Sequence, residues 1–446
     1  MEESNMKKRI LLLLLSITML LTMLWGCGKT DADSKDTSTK ESTENASSEN
    51  AEPVKKVELR QAIWDTNQEP FYTQAAEAFM EKNPDIKITI EVTPWEQYWT
   101  KIEAAATGGS VADVFWLNGP NITKYARGGV IAPIDDYLAN SDVDLNNYPS
   151  GLVSLYNIDS AQYAIPKDFD TIAVWYNKAL FDAAGVEYPT DDWTWEDMVD
   201  KASKITDESK EIYGIVSQLN NQNGFYNTIL ANGGFIVSED KKTSGYDSPE
   251  AIEAVQIWVD LIKNAYSPTL AQQEDTAANM MFESGMAAMI FAGSWATPEY
   301  AGTEQIAENI NVVEMPSVNG KKASVIHGLG NVISSATEHP EEAWKWVEYL
   351  ASQEANELQA KTGAAIPAHA KATPIWAENY PQYNLQAYIT SSMDYSYAYP
   401  ASENTSEWNQ YETDYLKKAY SMEISVEEAC QALAKSMNEV LATEGQ

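Results

Sequence analysis

From Val57 onward the chain switches repeatedly between two hydrophobic periods. Ile86, Ile88, Ile90 and Val92 recur at every second residue, the repeat of a strand with one buried face. Just before them, Phe71–Lys82 follows a helical repeat and stops at Asn83-Pro84, because a proline disfavours helical backbone in the residue ahead of it. The same reading predicts strands at Val57–Ile63, Val111–Leu117, Thr171–Tyr176 and Met286–Phe291. Helices are expected over Asn177–Ala184 with Gly185 as C-cap, from Thr194 and Asp197 through Ile205, and over Pro340–Ala351. Ser248-Pro249 is an N-cap and first-turn pair for a helix to Ala265 that carries Ile252, Val255, Val259 and Ile262 on one face. Ser425 with Glu428 forms a capping box for a last helix ending near Ala442. Strands separated by helices predict an α/β architecture with mostly parallel sheets flanked by helices.

Composition narrows the function. A chain of 446 residues has room for two or three domains at roughly 150 residues each. The formal charge of −36 argues against a nucleic-acid partner, since phosphate binding needs clustered Lys and Arg. Two cysteines make no disulfide framework, no Cys-x-x-Cys occurs, and His327, His339 and His369 are the only histidines, so neither a metal nor a cofactor is expected. Against 9 Phe stand 24 Tyr and 14 Trp, an excess of aromatic side chains with polar edges.

The first residues read as an address. Lys7-Lys8-Arg9 precedes the apolar run Ile10 to Leu24, too short for a comfortable membrane span, which ends in Leu24-Trp25-Gly26-Cys27. This resembles a bacterial lipoprotein signal over residues 1–26, with Cys27 diacylated; an ordinary cleaved signal is the alternative, and Met6 is an alternative start. Two acyl chains give stable anchoring where one is marginal. Residues 27–56 then form a polar tether without aromatics, which cannot bury enough apolar surface to order itself. Cys430, inside a helical pattern, reads as a small buried apolar residue.

Several motifs stand in order along the chain. They are Ile63-Trp64 with Asn83-Pro84-Asp85, then Gly109-Ser110-Val111-Ala112-Asp113-Val114-Phe115-Trp116. Ala164-Ile165-Pro166 with Ala173-Val174-Trp175-Tyr176-Asn177-Lys178 and Phe181-Asp182-Ala183-Ala184-Gly185 is the most specific set. Thr194-Trp195-Glu196-Asp197, Asn232-Gly233-Gly234, Phe282-Glu283-Ser284-Gly285, Gly293-Ser294-Trp295 and His339-Pro340-Glu341-Glu342-Ala343-Trp344 follow. In this order they resemble family 1 extracellular solute-binding proteins, the sugar-binding receptors of bacterial ABC importers, over about residues 57–370; Met286 stands where that family more often has Lys. The resemblance implies two α/β lobes with the ligand cleft between them, one of 57–168 plus about 328–373, the other of about 172–326 plus 374–446. By similarity to maltose-binding members, the chain would cross near Asp168–Thr171, His327–Gly328 and Thr373. Closure of the lobes by hinge motion, and delivery of a sugar to the permease subunits of an ABC transporter, would be the function.

A sugar ring offers apolar C–H faces and a belt of hydroxyls, so its site needs aromatic planes and strong hydrogen-bond acceptors at strand ends. Trp64, Trp116 and Asn118 end strands; the alternatives are core packing for the indoles and a turn or cap role for Asn118. Asp168 and Asp170 lie at the first crossing, as ligand acceptors or hinge groups. Asn221 and Asn223 occupy a polar loop with Gln222 and Phe225, either a ligand loop or a solvated turn. Trp295 follows Gly293-Ser294, whose small side chains leave room for close backbone approach; a core-capping indole is the alternative. His327 lies at the second crossing beside Gly328, a glycine suited to backbone that flexes. Tyr395, Tyr397 and Tyr399 alternate before Pro400, and Tyr397 is taken to represent a cleft wall, with packing on the lobe as the alternative. Trp258, Trp344 and Trp346 sit at core-compatible helical spacing. The chain is expected to act as a monomer on the outer face of the membrane and to lack catalysis. A sensor lipoprotein paired with a surface kinase is an alternative, and so is a secreted glycoside hydrolase using two facing carboxylates.

Overall fold

The computed structural model describes residues 56–444, so the expected signal, Cys27 and all but the last residue of the tether lie outside the described residues. Strands β1 (Val57–Ile63) and β2 (Ile86–Val92) pair parallel along their whole length, from Val57 opposite Ile86 to Ile63 opposite Val92. Between them α1 (Glu69–Lys82) buries Phe71, Tyr72, Ala75, Ala76 and Phe79 and stops at Asn83. Next comes α2 (Trp95–Gly108), a helix the sequence reading passes over, closed by Gly109 at φ 63°. The fully buried β3 (Val114–Asn118) runs straight into α3 (Gly119–Arg127).

Strands β4 (Ala164–Asp170) and β5 (Ile172–Asn177) follow one another with Thr171 alone between them. Helices α4 (Lys178–Ala184), capped by Asn177, α5 (Trp195–Ile205), with the Thr194–Asp197 capping box, and α6 (Pro249–Lys263), capped by Ser248, begin where their sequence signals stand. Strands β6 (Met289–Gly293), β7 (Ile310–Val313) and β8 (Ser324–Ile333), helix α7 (Pro340–Ala351) and the short β9 (Ile366–Pro367) and β10 (Ser396–Ala398) come after. Two long helices, α8 (Thr405–Tyr420) and α9 (Val426–Leu441), end the described chain, the second with the Ser425–Glu428 capping box.

The α/β class holds, but the sheets are mixed rather than mostly parallel. A seven-stranded sheet has the order β9-β4-β8-β3-β1-β2, with β10 added against β8. In it β1–β2, β1–β3 and β8–β10 are parallel, whereas β3–β8, β4–β8 and β4–β9 are antiparallel. The second sheet, β6-β5-β7, is antiparallel throughout. Apolar period identifies a strand without giving its partner's direction, and β8 arrives from far along the chain to run against both neighbours.

Strand β5 serves two cores at once. Ile172, Val174 and Tyr176 face a core shared with α6, α8 and α9, while Ala173 and Trp175 face one continuous with the large sheet. Trp258, Trp344 and Trp346 are buried, as their helical spacing predicts, and so is Cys430. Among the described residues no helix is long and apolar enough to cross a membrane.

Candidate functional site

The site is assembled by β8. Because it runs between β3 and β4, Leu329 stands opposite both Asn118 and Asp168, and His327 stands opposite Asp170. The register shifts between Leu329 and Gly330, where Asp168 Oδ1 accepts the Leu329 amide at 3.1 Å. Gly328 has a different reason from flexibility: a Cβ there would lie 2.6 Å from the Asp168 carbonyl oxygen, so close strand approach demands glycine.

A cavity of about 950 Å³ opens at these strand ends, at the upper end of the usual range for small-molecule sites. Trp64, Asn118, Asp168, Asp170, Asn221, Asn223, Trp295 and His327 all line it, eight of the ten ligand candidates. Trp116 and Tyr397 do not.

One wall is aromatic. Trp64 packs edge-on against Trp95, Tyr98 and Trp116 at centroid distances of 5.2, 5.0 and 4.9 Å. Trp95 is 49% exposed, and both it and Trp99 line the cleft. Trp116 corrects the sequence reading. It is fully buried beneath Trp64, its indole N–H donates to the Tyr72 hydroxyl at 2.7 Å, and the Lys167 ammonium lies 4.4 Å from its ring centre. It supports the wall from behind. Sequence reasoning missed Trp95 and Trp99, although Trp95, Tyr98 and Trp99 have the i, i+3, i+4 spacing of one helical face.

Trp295 owes its position to Gly293. A Cβ on Gly293 would fall 1.8 Å from the indole, so the ring folds back over the space a side chain would occupy. The indole is half-buried and touches both cores while its remaining surface lines the cleft.

Much of the remaining lining is polar. Asp170 Oδ1 accepts from Gln222 Nε2 at 2.6 Å, and its other oxygen is 3.9 Å from His327 Nδ1, too far for a hydrogen bond. His327 is buried, and its Nε2 has no hydrogen-bond partner. Asn223 Oδ1 is likewise buried and unpartnered, while its backbone amide donates to Asn220 Oδ1 at 2.8 Å. Asn221 Nδ2 donates to the Tyr399 hydroxyl at 3.0 Å and to Glu412 Oε2 at 3.1 Å. Glu412 Oε1 accepts from Tyr226 at 2.7 Å and from Tyr246 at 2.5 Å. Asn118 Oδ1 accepts from Asn121 at 2.7 Å. Asp168 forms a buried ion pair with Lys167, whose ammonium also donates to Gln68 Oε1 at 2.8 Å.

Burial sets the protonation of this wall. It pushes the Asp170 carboxyl well above the carboxylate range, with the Asp168 charge adding to the effect. Burial raises Glu412 to about 7, against the pull of its Tyr246, Tyr226 and Asn221 hydrogen bonds. It lowers His327 to about 4, so the imidazole is neutral near pH 7.

Tyr397 is the second correction. It sits in β10 opposite Val325, is 43% exposed and stays outside the cleft lining. The three alternating tyrosines do not share a side, because β10 covers only Ser396–Ala398. Tyr395 donates to Glu314 Oε2 at 3.1 Å, and Tyr399 is the one that reaches the cleft. Asn409 and Glu412, three residues apart on α8, also line the cavity and were missed. Among the described residues no group of three or more His, Cys, Asp or Glu is placed to hold a metal ion.

Residues 65–357 match the family model for bacterial extracellular solute-binding proteins. The maltodextrin-binding protein MdxE of Bacillus subtilis is 24% identical over 338 residues, covering 70% of this chain and 74% of its own. The maltotriose-binding protein of Pyrococcus abyssi is 24% identical over 298 residues, covering 65% and 61%. The ABC substrate-binding protein Lmo0181 of Listeria monocytogenes, solved in complex with cycloalternan, superposes with a TM-score of 0.81 at 25% identity, over 87% of this chain and 99% of that one. The family match over residues 65–357, together with the two-lobed fold these relatives share and a cleft at the strand ends, makes this chain a member of the bacterial extracellular solute-binding protein family.

Proposed function

We propose that this protein is a surface receptor that binds a mono- or oligosaccharide reversibly in the cleft, closes over it and delivers it to the permease of an ABC importer without chemical turnover. The observation that carries this reading is one cavity lined both by indole planes and by residues with buried polar atoms that lack protein partners, Asn223 Oδ1 and His327 Nε2. Planes suit the C–H faces of a sugar ring, and unpartnered polar atoms suit its hydroxyls. Relatives named for maltodextrin and maltotriose binding support the same class of ligand.

The lobes are 57–168 with about 328–373, and about 172–326 with 374–446, and closure bends the chain where β4 passes into β5. The receptor works as a monomer, tethered to the outer face of the cell membrane by acyl chains on Cys27. A glycan panel read by thermal shift and then calorimetry tests binding. Stoichiometric, reversible heats with the sugar recovered intact are expected, and release of shortened sugar would defeat the reading in favour of a hydrolase. Cys27→Ala should release the protein from membranes; persistent membrane association of that variant would remove the anchor.

A further inference from the structure

The charge around the cleft is one-sided. Asp65, Glu103, Asp168, Asp170, Glu299 and Glu412 all line it, and among the described residues no lysine or arginine does. Cations that serve these carboxyls stand behind or outside the wall. Lys167, paired with Asp168, is buried against Trp116, and Lys124 meets Glu103 from the exposed side at 2.6 Å. Asp170 and Glu412 have neutral donors: the Gln222 amide for Asp170, and two phenols with the Asn221 amide for Glu412. His327, which also lines the cleft, is uncharged near neutral pH.

A sugar hydroxyl suits such a lining, because it both donates and accepts without bringing charge. A carboxylate, sulfate or phosphate brings a full negative charge into a partly desolvated site whose lining offers no lysine or arginine to meet it. We infer that the cleft selects glycans that carry no acidic group and rejects their uronic, sulfated or phosphorylated counterparts, because its lining is acidic and supplies no cation. This deepens the carbohydrate reading and rests on it.

The overall charge of −36 also repels anions, but that long-range field is screened, with a Debye length of about 3 Å at 1 M salt. The experiment therefore uses calorimetry on the mature chain at 0.15 and 1 M NaCl. The probes are maltotriose, cellotriose and mannotriose, then the tightest binder oxidised at C6 to its uronic acid, and the methyl ester of that acid. The acid and its ester have nearly the same shape and differ in charge. We expect the acid to bind at least tenfold more weakly than the ester at both salt concentrations. Asn223→Lys, which brings a cation into the lining, should narrow that gap several-fold, and Gln222→Lys provides a second, independent reading. Equal or tighter binding of the acid overturns the inference while leaving the carbohydrate reading intact. A gap that closes at 1 M NaCl overturns it too, since the surface field would then be the cause. Failure of every neutral and acidic sugar to bind the folded protein would instead remove the carbohydrate reading beneath it.

Discussion

The two walls of the cleft are built on opposite principles. On the aromatic wall Trp64, Trp95, Trp99 and Tyr98 hold one another edge to face, and the buried polar edges behind them are satisfied. Trp116 donates to Tyr72, and Tyr98 donates to the Trp116 carbonyl at 2.9 Å. On the polar wall His327 Nε2 and Asn223 Oδ1 are buried without partners, and the hydrogen-bond donors to Asp170 and Glu412 are neutral amides and phenols. The first wall is complete without a ligand; the second is not. Folding free energy is therefore concentrated in the aromatic wall, and selectivity in the polar one.

The sharpest way to break this contrast is to remove the support beneath the indoles. Trp116→Ala should destabilise the protein by about 3–5 kcal/mol, as large-to-small core substitutions of tryptophan do, whereas Trp95→Ala should change stability by under about 1 kcal/mol. Urea unfolding measures both. If Trp116→Ala were as mild as Trp95→Ala, the inner tryptophan would not be a support.

The polar wall should reveal itself through pH. Glu412 rises from 4.5 to about 7, so the folded protein holds a proton that the unfolded chain releases between those values. Stability from this group thus falls as pH rises through the window, by an amount on the order of 3 kcal/mol. Glu412→Gln should remove that slope. His327, lowered from 6.5 to about 4, acts in the opposite sense. There the unfolded chain binds the extra proton, so stability rises with pH between about 4 and 6.5. Denaturant titrations at pH 5 and 7.5 separate the two, and a parental slope in Glu412→Gln would place the ionisation elsewhere.

Binding should then divide along the same line. Asp170→Ala should weaken the sugar complex by roughly 10- to 100-fold, the cost of leaving a buried polar group unpaired, with little loss of stability. Trp295→Ala should cost about tenfold, the smallest effect of the set, with the fold intact. Calorimetry with the sugar identified in the panel checks both, and unchanged affinity in either variant removes that residue from the site.

How much of this was legible in the sequence follows from the same contrast. Period-two apolar residues located β1 and β2 to the residue, and capping signals located the starts of α5, α6 and α9. Strand β8 was not legible, because His327, Gly328, Gly330 and Asn331 interrupt its apolar run. Yet this strand sets Asp168, Asp170 and Asn118 side by side. Trp64 follows β1 and Trp116 lies within β3, and nothing local says which ring lies over the other. Glu412 depends on Tyr226 and Tyr246, far away in sequence, so its burial is a property of the packed fold alone. Tyr399 and Tyr397 differ by where β10 stops, a boundary that alternation cannot locate.

Thr171, the single residue between β4 and β5, is tied by its hydroxyl to the Tyr388 carbonyl at 2.8 Å. Any bending of one sheet against the other about this connection makes it a fulcrum, and displacement grows with distance from a fulcrum. Asp170 and His327 sit beside it, and Trp295 is close too, since the neighbouring Ser294 amide donates to the Thr171 carbonyl oxygen at 3.3 Å. In such a motion these groups travel least, so the centre of the site would keep its geometry while the rest of the cleft changes width around it.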